Sequence, residues 1–155
     1  ENSGGGSTIT QQLAKLIYSG TSGSILDRIY QKPNEWVIAV NLEQRYTKNE
    51  ILTMYLNEYD FGYNAIGLVS AAKIYFGKHP SQLSIEESAM LVGMCKNSSL
   101  FNPRRRPDMT RERRNVVFSQ MVKAGFLTNE ECDSLSALPL TLNYHAASHN
   151  EGIAT

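Results

Sequence analysis

Apolar residues recur along most of the chain at the three- and four-residue spacing of α-helices. In the helix predicted from residue 8 onward, a rotation of about 100° per residue separates two faces. The polar face holds Thr8, Gln11, Gln12 and Lys15. The opposite, packing face holds Ile9, Leu13, Leu16 and Ile17. The pattern therefore predicts a helix that packs with one face and can bind a ligand with the other.

Helix starts are marked by a hydroxyl residue followed three positions later by glutamate or glutamine, the capping box. These pairs are Thr8–Gln11, Thr47–Glu50, Ser84–Glu87 and Thr128–Glu131. Gly77 and Gly125 stand where helices that begin near Ala65 and Asp108 should end. Strand-like alternation appears only at 138–142. We therefore expect a mostly α fold, a compact bundle of about six short helices.

A further helix, predicted to begin at Pro33, carries an acidic residue on its apolar side. Proline suits a first helical turn, and continuing that helix aligns Glu35 with Ile38 and Ala39. Burial of a carboxylate is costly unless it is paired, which favours a partner or a chemical task for Glu35. The alternative is a solvated glutamate favoured in the first turn by the helix dipole.

Three glycines, residues 4–6, precede the first helix. Glycine lets the backbone approach a ligand closely, and the amides at a helix start favour phosphate. A nucleotide-binding P-loop has glycine directly before its lysine and a hydroxyl directly after it. Here Ala14 and Leu16 flank Lys15. From the residues alone, an anion-binding helix and an ordinary capped surface helix stay equally good interpretations.

Composition narrows the function classes. The 155 residues fit one domain, and the 15 basic and 15 acidic side chains cancel, so no overall field attracts nucleic acid. Acidic residues interrupt the arginines at 104–114, which favours ion pairing or an anionic lipid surface over nucleic acid. Cys95 and Cys132 form neither a zinc motif nor a disulfide framework. His145 and His149 are four apart in a sequence unsuited to a helix, so no metal site is predicted.

The string Gly-Gly-Ser-Thr-Ile-Thr-Gln-Gln-Leu-Ala-Lys at 5–15 closely resembles the second signature motif of the family 51 glycosyltransferases. These are the peptidoglycan-polymerising domains of class A penicillin-binding proteins and of monofunctional transglycosylases. Other segments resemble the family in the same order, over roughly residues 4–140. They are 32–35 (third motif), 48–57 (fourth), 71–78, 86–93 and 113–118 (fifth).

The resemblance implies a lysozyme-like helical domain that polymerises lipid II into glycan strands and releases undecaprenyl diphosphate. It implies that Lys15 and Lys32 stabilise the departing diphosphate and that Glu35 is a catalytic residue that positions the site. Hydrogen bonds to substrate would come from Ser7, Thr8, Gln11 and Gln12. The resemblance implies no required cofactor and leaves room for Mg²⁺ or Mn²⁺.

The same resemblance implies the partners and the location. The partners are lipid II, the nascent glycan strand, a membrane surface and moenomycin-type inhibitors, with no nucleic acid. The location is the periplasmic face of the bacterial cytoplasmic membrane, with a membrane-anchored parent protein.

The chain departs from the family pattern at three points. Leu16 replaces an asparagine and Gln31 replaces an arginine. The first motif, with the base glutamate, does not occur in the 155 residues. We therefore expect 1–142 to be a partial domain truncated at its N-terminus and 143–155 a linker toward a transpeptidase-like domain. Because this base is missing, we expect the chain by itself to be catalytically inactive. The alternatives are a non-catalytic module that binds lipid-diphosphate or moenomycin, and a purely structural or partner-binding helical domain.

Overall fold

A computed structural model of the chain describes residues 8–18 and 25–147, with the backbone alone at 18 and 25–32. It has two compact units, which divide after residue 59. The helices of the first unit are α1 (Ile9–Tyr18), α2 (Ile25–Arg45) and α3 (Lys48–Glu58). The helices of the second are α4 (Leu68–Phe76), α5 (Ile85–Met94), α6 (Pro107–Lys123) and α7 (Asn129–Ala137). A 3₁₀ turn, Pro80–Gln82, lies between α4 and α5. The mostly α prediction is confirmed.

In the first unit, α1 packs against both α2 and α3. Leu13 and Ala14 are fully buried, as is most of Thr10. Ile9 and Ile17 are 46% and 53% exposed, so their assignment to the packing face was wrong. The buried side of α1 does not coincide with its most apolar side. Two helices, α2 and α3, contact α1, and their positions determine which of its side chains are buried.

The predicted start of α2 at Pro33 was also wrong. The helix begins at Ile25, and Pro33 lies inside it. A proline within a helix removes one backbone hydrogen bond, a local loss that a helix of 21 residues can absorb. The predicted helical register after Pro33 holds, since Glu35 and Ala39 are both buried. Glu35 thus lies on the packed side of α2.

The second unit begins with a tight turn closed by an isolated antiparallel bridge between Asp60 and Ile66. Gly77 ends α4 in the left-handed conformation, with φ +64°, as predicted. The helices α5 and α6 pack closely at Gly93, where an added Cβ would lie 3.1 Å from Arg113 Cγ. The three capping boxes predicted at residues 47, 84 and 128 are all present.

The arginines of α6 serve the fold of the second unit. Arg114 is 1% exposed and donates to the carbonyls of Leu135, Leu138 and Pro139. Arg111 donates to carbonyls of the same segment, at 136–138. Arginine offers five donors in a fixed planar fork, which suits it to collect several carbonyls at once. The guanidinium groups therefore fasten the segment after α7 to α6.

The strand-like alternation at 138–142 does not produce a strand, because no partner strand exists among the described residues. The chain instead runs extended to the end of α4. There the Asn143 amide donates to Tyr75 O at 3.0 Å and the His145 amide donates to Ile74 O at 2.7 Å. These carbonyls lie in the last turn of α4, where helices lack internal donors. The predicted linker boundary at 142/143 stays a prediction, and residues 148–155 lie outside the described part.

Candidate functional site

The start of α1 carries the capping box that the sequence predicts. The Thr8 amide donates to Gln11 Oε1 at 3.1 Å, and the Gln11 amide donates to Thr8 Oγ1 at 3.2 Å. Both oxygens therefore act as acceptors inside the helix start. What each side chain can offer outward is a donor: the hydroxyl hydrogen of Thr8 and the amide NH₂ of Gln11.

The next glutamine is fixed from another helix. The hydroxyl of Tyr55, in α3, donates to Gln12 Oε1 at 3.3 Å. Tyr55 is 4% exposed, and a buried tyrosine hydroxyl requires a hydrogen-bond partner. Gln12 itself is exposed. Its oxygen thus accepts from a residue of the packed helix α3, and its amide nitrogen is a donor only.

Lys15 extends the same face by one turn and is exposed. A lysine ammonium is a donor with no acceptor capacity. Together with Thr8, Gln11 and Gln12 it forms a stripe that we call the donor face of α1. The face begins at the N-terminus of α1, where the helix dipole favours negative charge. Donors, a cation and a positive helix end on one stripe suit an anionic ligand.

Glu35 lies in the middle of α2 and is 3% exposed. Its neighbour Trp36, about 100° further round the helix, is 64% exposed, so the edge of the buried side of α2 lies between the two residues. The buried position confirms the prediction that this carboxylate is directed along an apolar stripe. It does not test the catalytic role.

The structure brings some of the predicted site residues together, whereas the side chains of others lie outside its described part. Thr8 and Gln11 bond each other, and Gln12 joins them on the donor face. Ser7 lies outside the described residues, and for Lys32 only the backbone position in α2 is given. Leu16, which replaces the family's asparagine, is partly buried.

A cavity of about 670 Å³ opens in the first unit beside the start of α1. Its walls come from the first turn of α1, the end of α2 and the first two turns of α3. Thr8 is the one donor-face residue that lines it. Gln12, Lys15 and Glu35 do not line it, so this cavity and the donor face are different features of the unit. Within the described part of the chain, no group of three or more His, Cys, Asp or Glu side chains could hold a metal ion.

Comparison with known proteins decides the family. A family model described as transglycosylase matches residues 1–122. The chain belongs to the transglycosylase family. The donor face of α1 lies within the residues that match this family. None of the described helices has the combination of length and apolar character that crossing a membrane requires.

Relatives agree with this assignment. Penicillin-binding protein 1A of Escherichia coli K12 is 40% identical over 142 residues, which cover 92% of this chain and 16% of that protein. Penicillin-binding protein 2a of Streptococcus pneumoniae D39 is 38% identical over 143 residues, 92% of this chain and 19% of that protein. The crystal structure of penicillin-binding protein 1A from Haemophilus influenzae matches with a TM-score of 0.59 and 28% identity. That match covers 89% of this chain and 17% of the other, and it confirms the lysozyme-like helical fold.

This transglycosylase chain therefore spans less than a fifth of the length of these relatives. The sequence analysis did not identify the hydrogen bond between Tyr55 and Gln12. A buried tyrosine indicates that some acceptor is near. Only the packing of α3 on α1 identifies which one, because 43 positions separate the two residues.

Proposed function

We propose that the chain is part of a peptidoglycan glycosyltransferase that polymerises lipid II into glycan strands and releases undecaprenyl diphosphate. The observation that supports this function best is the donor face of α1. Three side chains there, Thr8, Gln11 and Gln12, use their oxygens within the protein, and Lys15 adds a positive charge. Such a surface favours phosphate oxygens over neutral or cationic groups.

The chemistry of the reaction explains why such a face would be useful. A lipid-linked sugar leaves as a diphosphate, and negative charge grows on the departing oxygen in the transition state. Fixed donors directed at that charge lower the barrier. In the proposal Lys15 and Lys32 stabilise the leaving diphosphate, Ser7 adds a neutral hydrogen bond, and Glu35 positions the site. The base that deprotonates the acceptor hydroxyl would be the glutamate of the family's first motif.

That base does not occur among the 155 residues. We therefore propose that this chain binds the diphosphate ligand without turning it over. The partners are lipid II, the glycan strand, the membrane surface and moenomycin-type inhibitors, and the reaction takes place at the periplasmic face of the cytoplasmic membrane. The proposal requires no cofactor and leaves a role for Mg²⁺ or Mn²⁺ to be tested by adding each ion.

Titration calorimetry with moenomycin tests the binding step. Lys15→Ala should weaken binding at least roughly tenfold, because a hydrogen bond to a charged group contributes about 1.5–3 kcal/mol. Lys123→Ala is the matched control, since Lys123 is an exposed lysine of α6 in the second unit. Equal affinities of the Lys15→Ala variant and the unsubstituted chain would contradict the proposed site.

Incubation with lipid II separates binding from catalysis. The 155-residue chain should produce no glycan polymer while it retains its affinity for moenomycin. Robust polymer formation would show that the base is supplied from within these residues. A purely structural domain, the remaining alternative, would bind neither ligand.

A further inference from the structure

Tyr55 belongs to the fourth motif, and its side chain hydrogen-bonds a residue of the second motif. It lies in α3, which packs against α1, and its ring centroid is 5.5 Å from that of Tyr59, with the two rings tilted by 40°. Its hydroxyl donates to Gln12 Oε1 at 3.3 Å. A core aromatic of that size could equally have been phenylalanine, so the hydroxyl requires a separate explanation.

We infer that Tyr55 is a positioning residue that holds the side-chain amide of Gln12 with its donor end toward the ligand. The inference rests on the proposed function, because it assumes that the donor face binds an anion. Glutamine carries an acceptor and a donor on one rotatable group, and the two ends exchange places on a flip of about 180°. An oxygen facing an anion repels it, whereas an NH₂ group attracts it.

The other members of the donor face are oriented without help from another helix. Gln11 is fixed by the backbone amide of Thr8 through the capping box, and Lys15 has donors only. Gln12 is the member whose acceptor is bonded by a side chain of a different helix, according to the contacts of the described residues. The hydroxyl of Tyr55 therefore connects the packing of α3 to the polarity of the binding face.

A double-mutant cycle on the full 155-residue chain tests this inference, with moenomycin as the probe. Tyr55→Phe should weaken binding roughly threefold to tenfold, the equivalent of one neutral hydrogen bond. Gln12→Met, which keeps the length of the side chain and removes both amide ends, should weaken it at least as much. In the Gln12→Met background, Tyr55→Phe should have no further effect, because its influence acts through Gln12.

Tyr144→Phe is the matched control, since Tyr144 is a partly buried tyrosine of the second unit, whereas the donor face belongs to the first. It should leave the affinity unchanged. If Tyr55→Phe weakens binding equally with and without Gln12, the role of Tyr55 is structural and the inference is wrong. If the unsubstituted chain fails to bind moenomycin at all, the proposed function fails and the inference fails with it.

If Tyr55→Phe is less stable, its weaker binding could reflect partial unfolding. A measurement on the free chain therefore tests the orientation of Gln12 directly. In nitrogen-15 NMR spectra of the free chain, the side-chain NH₂ resonances of Gln12 should shift or broaden in Tyr55→Phe. They should stay in place in Tyr144→Phe. Unchanged Gln12 resonances in Tyr55→Phe would show that the hydroxyl does not fix the amide.

Discussion

Replacement of Arg114 by methionine tests the assignment of the fifth motif to the fold. Arg114 Nη2 donates to Leu138 O at 2.8 Å and to Leu135 O at 3.4 Å, and Nη1 donates to Pro139 O at 3.2 Å. Its Nε and Nη2 also bond Asn115 Oδ1, at 3.1 and 3.0 Å. Methionine keeps the apolar stem and removes every donor. The end of α7 and the residues after it then keep only the hydrogen bonds from Arg111 and Asn115 of α6.

The expected size of the effect follows from these contacts. A hydrogen bond to a charged group contributes about 1.5–3 kcal/mol, and a carbonyl left buried without a donor costs about 1–3 kcal/mol. The longer bonds are weaker, and water can reach the carbonyls once the segment loosens. We therefore expect the free energy of unfolding to fall by about 2–4 kcal/mol. For a chain of 155 residues this lowers Tm by at least about 4 °C.

Urea unfolding followed by circular dichroism measures the change. Arg114→Lys should be intermediate, because lysine keeps the charge but not the planar fork. Arg106→Met is the control, since Arg106 is exposed, and it should stay within about 0.5 kcal/mol of the unsubstituted chain. A value for Arg114→Met within that same range would refute the argument that the guanidinium fastens the segment.

Three further predictions concern the second unit. Gly77→Ala should destabilise the chain by more than about 1 kcal/mol in thermal unfolding, because Gly77 has φ +64° and its added Cβ would lie 2.7 Å from His145 Nε2. Burial opposes ionisation of Glu87, but the hydrogen bonds from Lys78 and Ser84 and the charge of Lys78 together outweigh it and hold the pKa of Glu87 below its ordinary value. The stability that ionised Glu87 contributes is therefore fully present above its unfolded pKa and is lost as pH falls through its lowered folded pKa. Glu87→Gln should remove this acid-side loss, and an unchanged pH profile would contradict it. Burial raises the pKa of Cys95 to about 12, so its thiol stays protonated at pH 8. In the Cys132→Ser variant, the folded chain should therefore resist thiol reagents at pH 8 and react only on unfolding.

Local rules predicted the features that depend on a few neighbouring residues. The capping box at Thr8 and the left-handed end of α4 at Gly77 follow from residue types three or four positions apart. The register that buries Glu35 follows from helical spacing in the same way. These predictions succeed because the energy of a cap or a turn lies within the segment itself.

Features set by packing could not be predicted. The exposure of Ile9 depends on how two other helices cover α1. The partner of Arg114 Nη2 at Leu138 lies 24 positions away, and Tyr55 lies 43 positions from Gln12. The residue types indicated that such groups need partners, but the choice of partner is a property of the fold. For the candidate site, the sequence thus identified the donors and the capping box, and the structure gave the orientation of the Gln12 oxygen.

The most direct test of the account is an NMR titration of the 155-residue chain with moenomycin. The side-chain NH₂ resonances of Gln11 and Gln12 and the backbone amides from Thr8 to Lys15 should shift together and saturate at one ligand per chain. Shifts confined to residues 60–147, or no shifts at the start of α1, would contradict the claim that this helix face holds the anionic ligand.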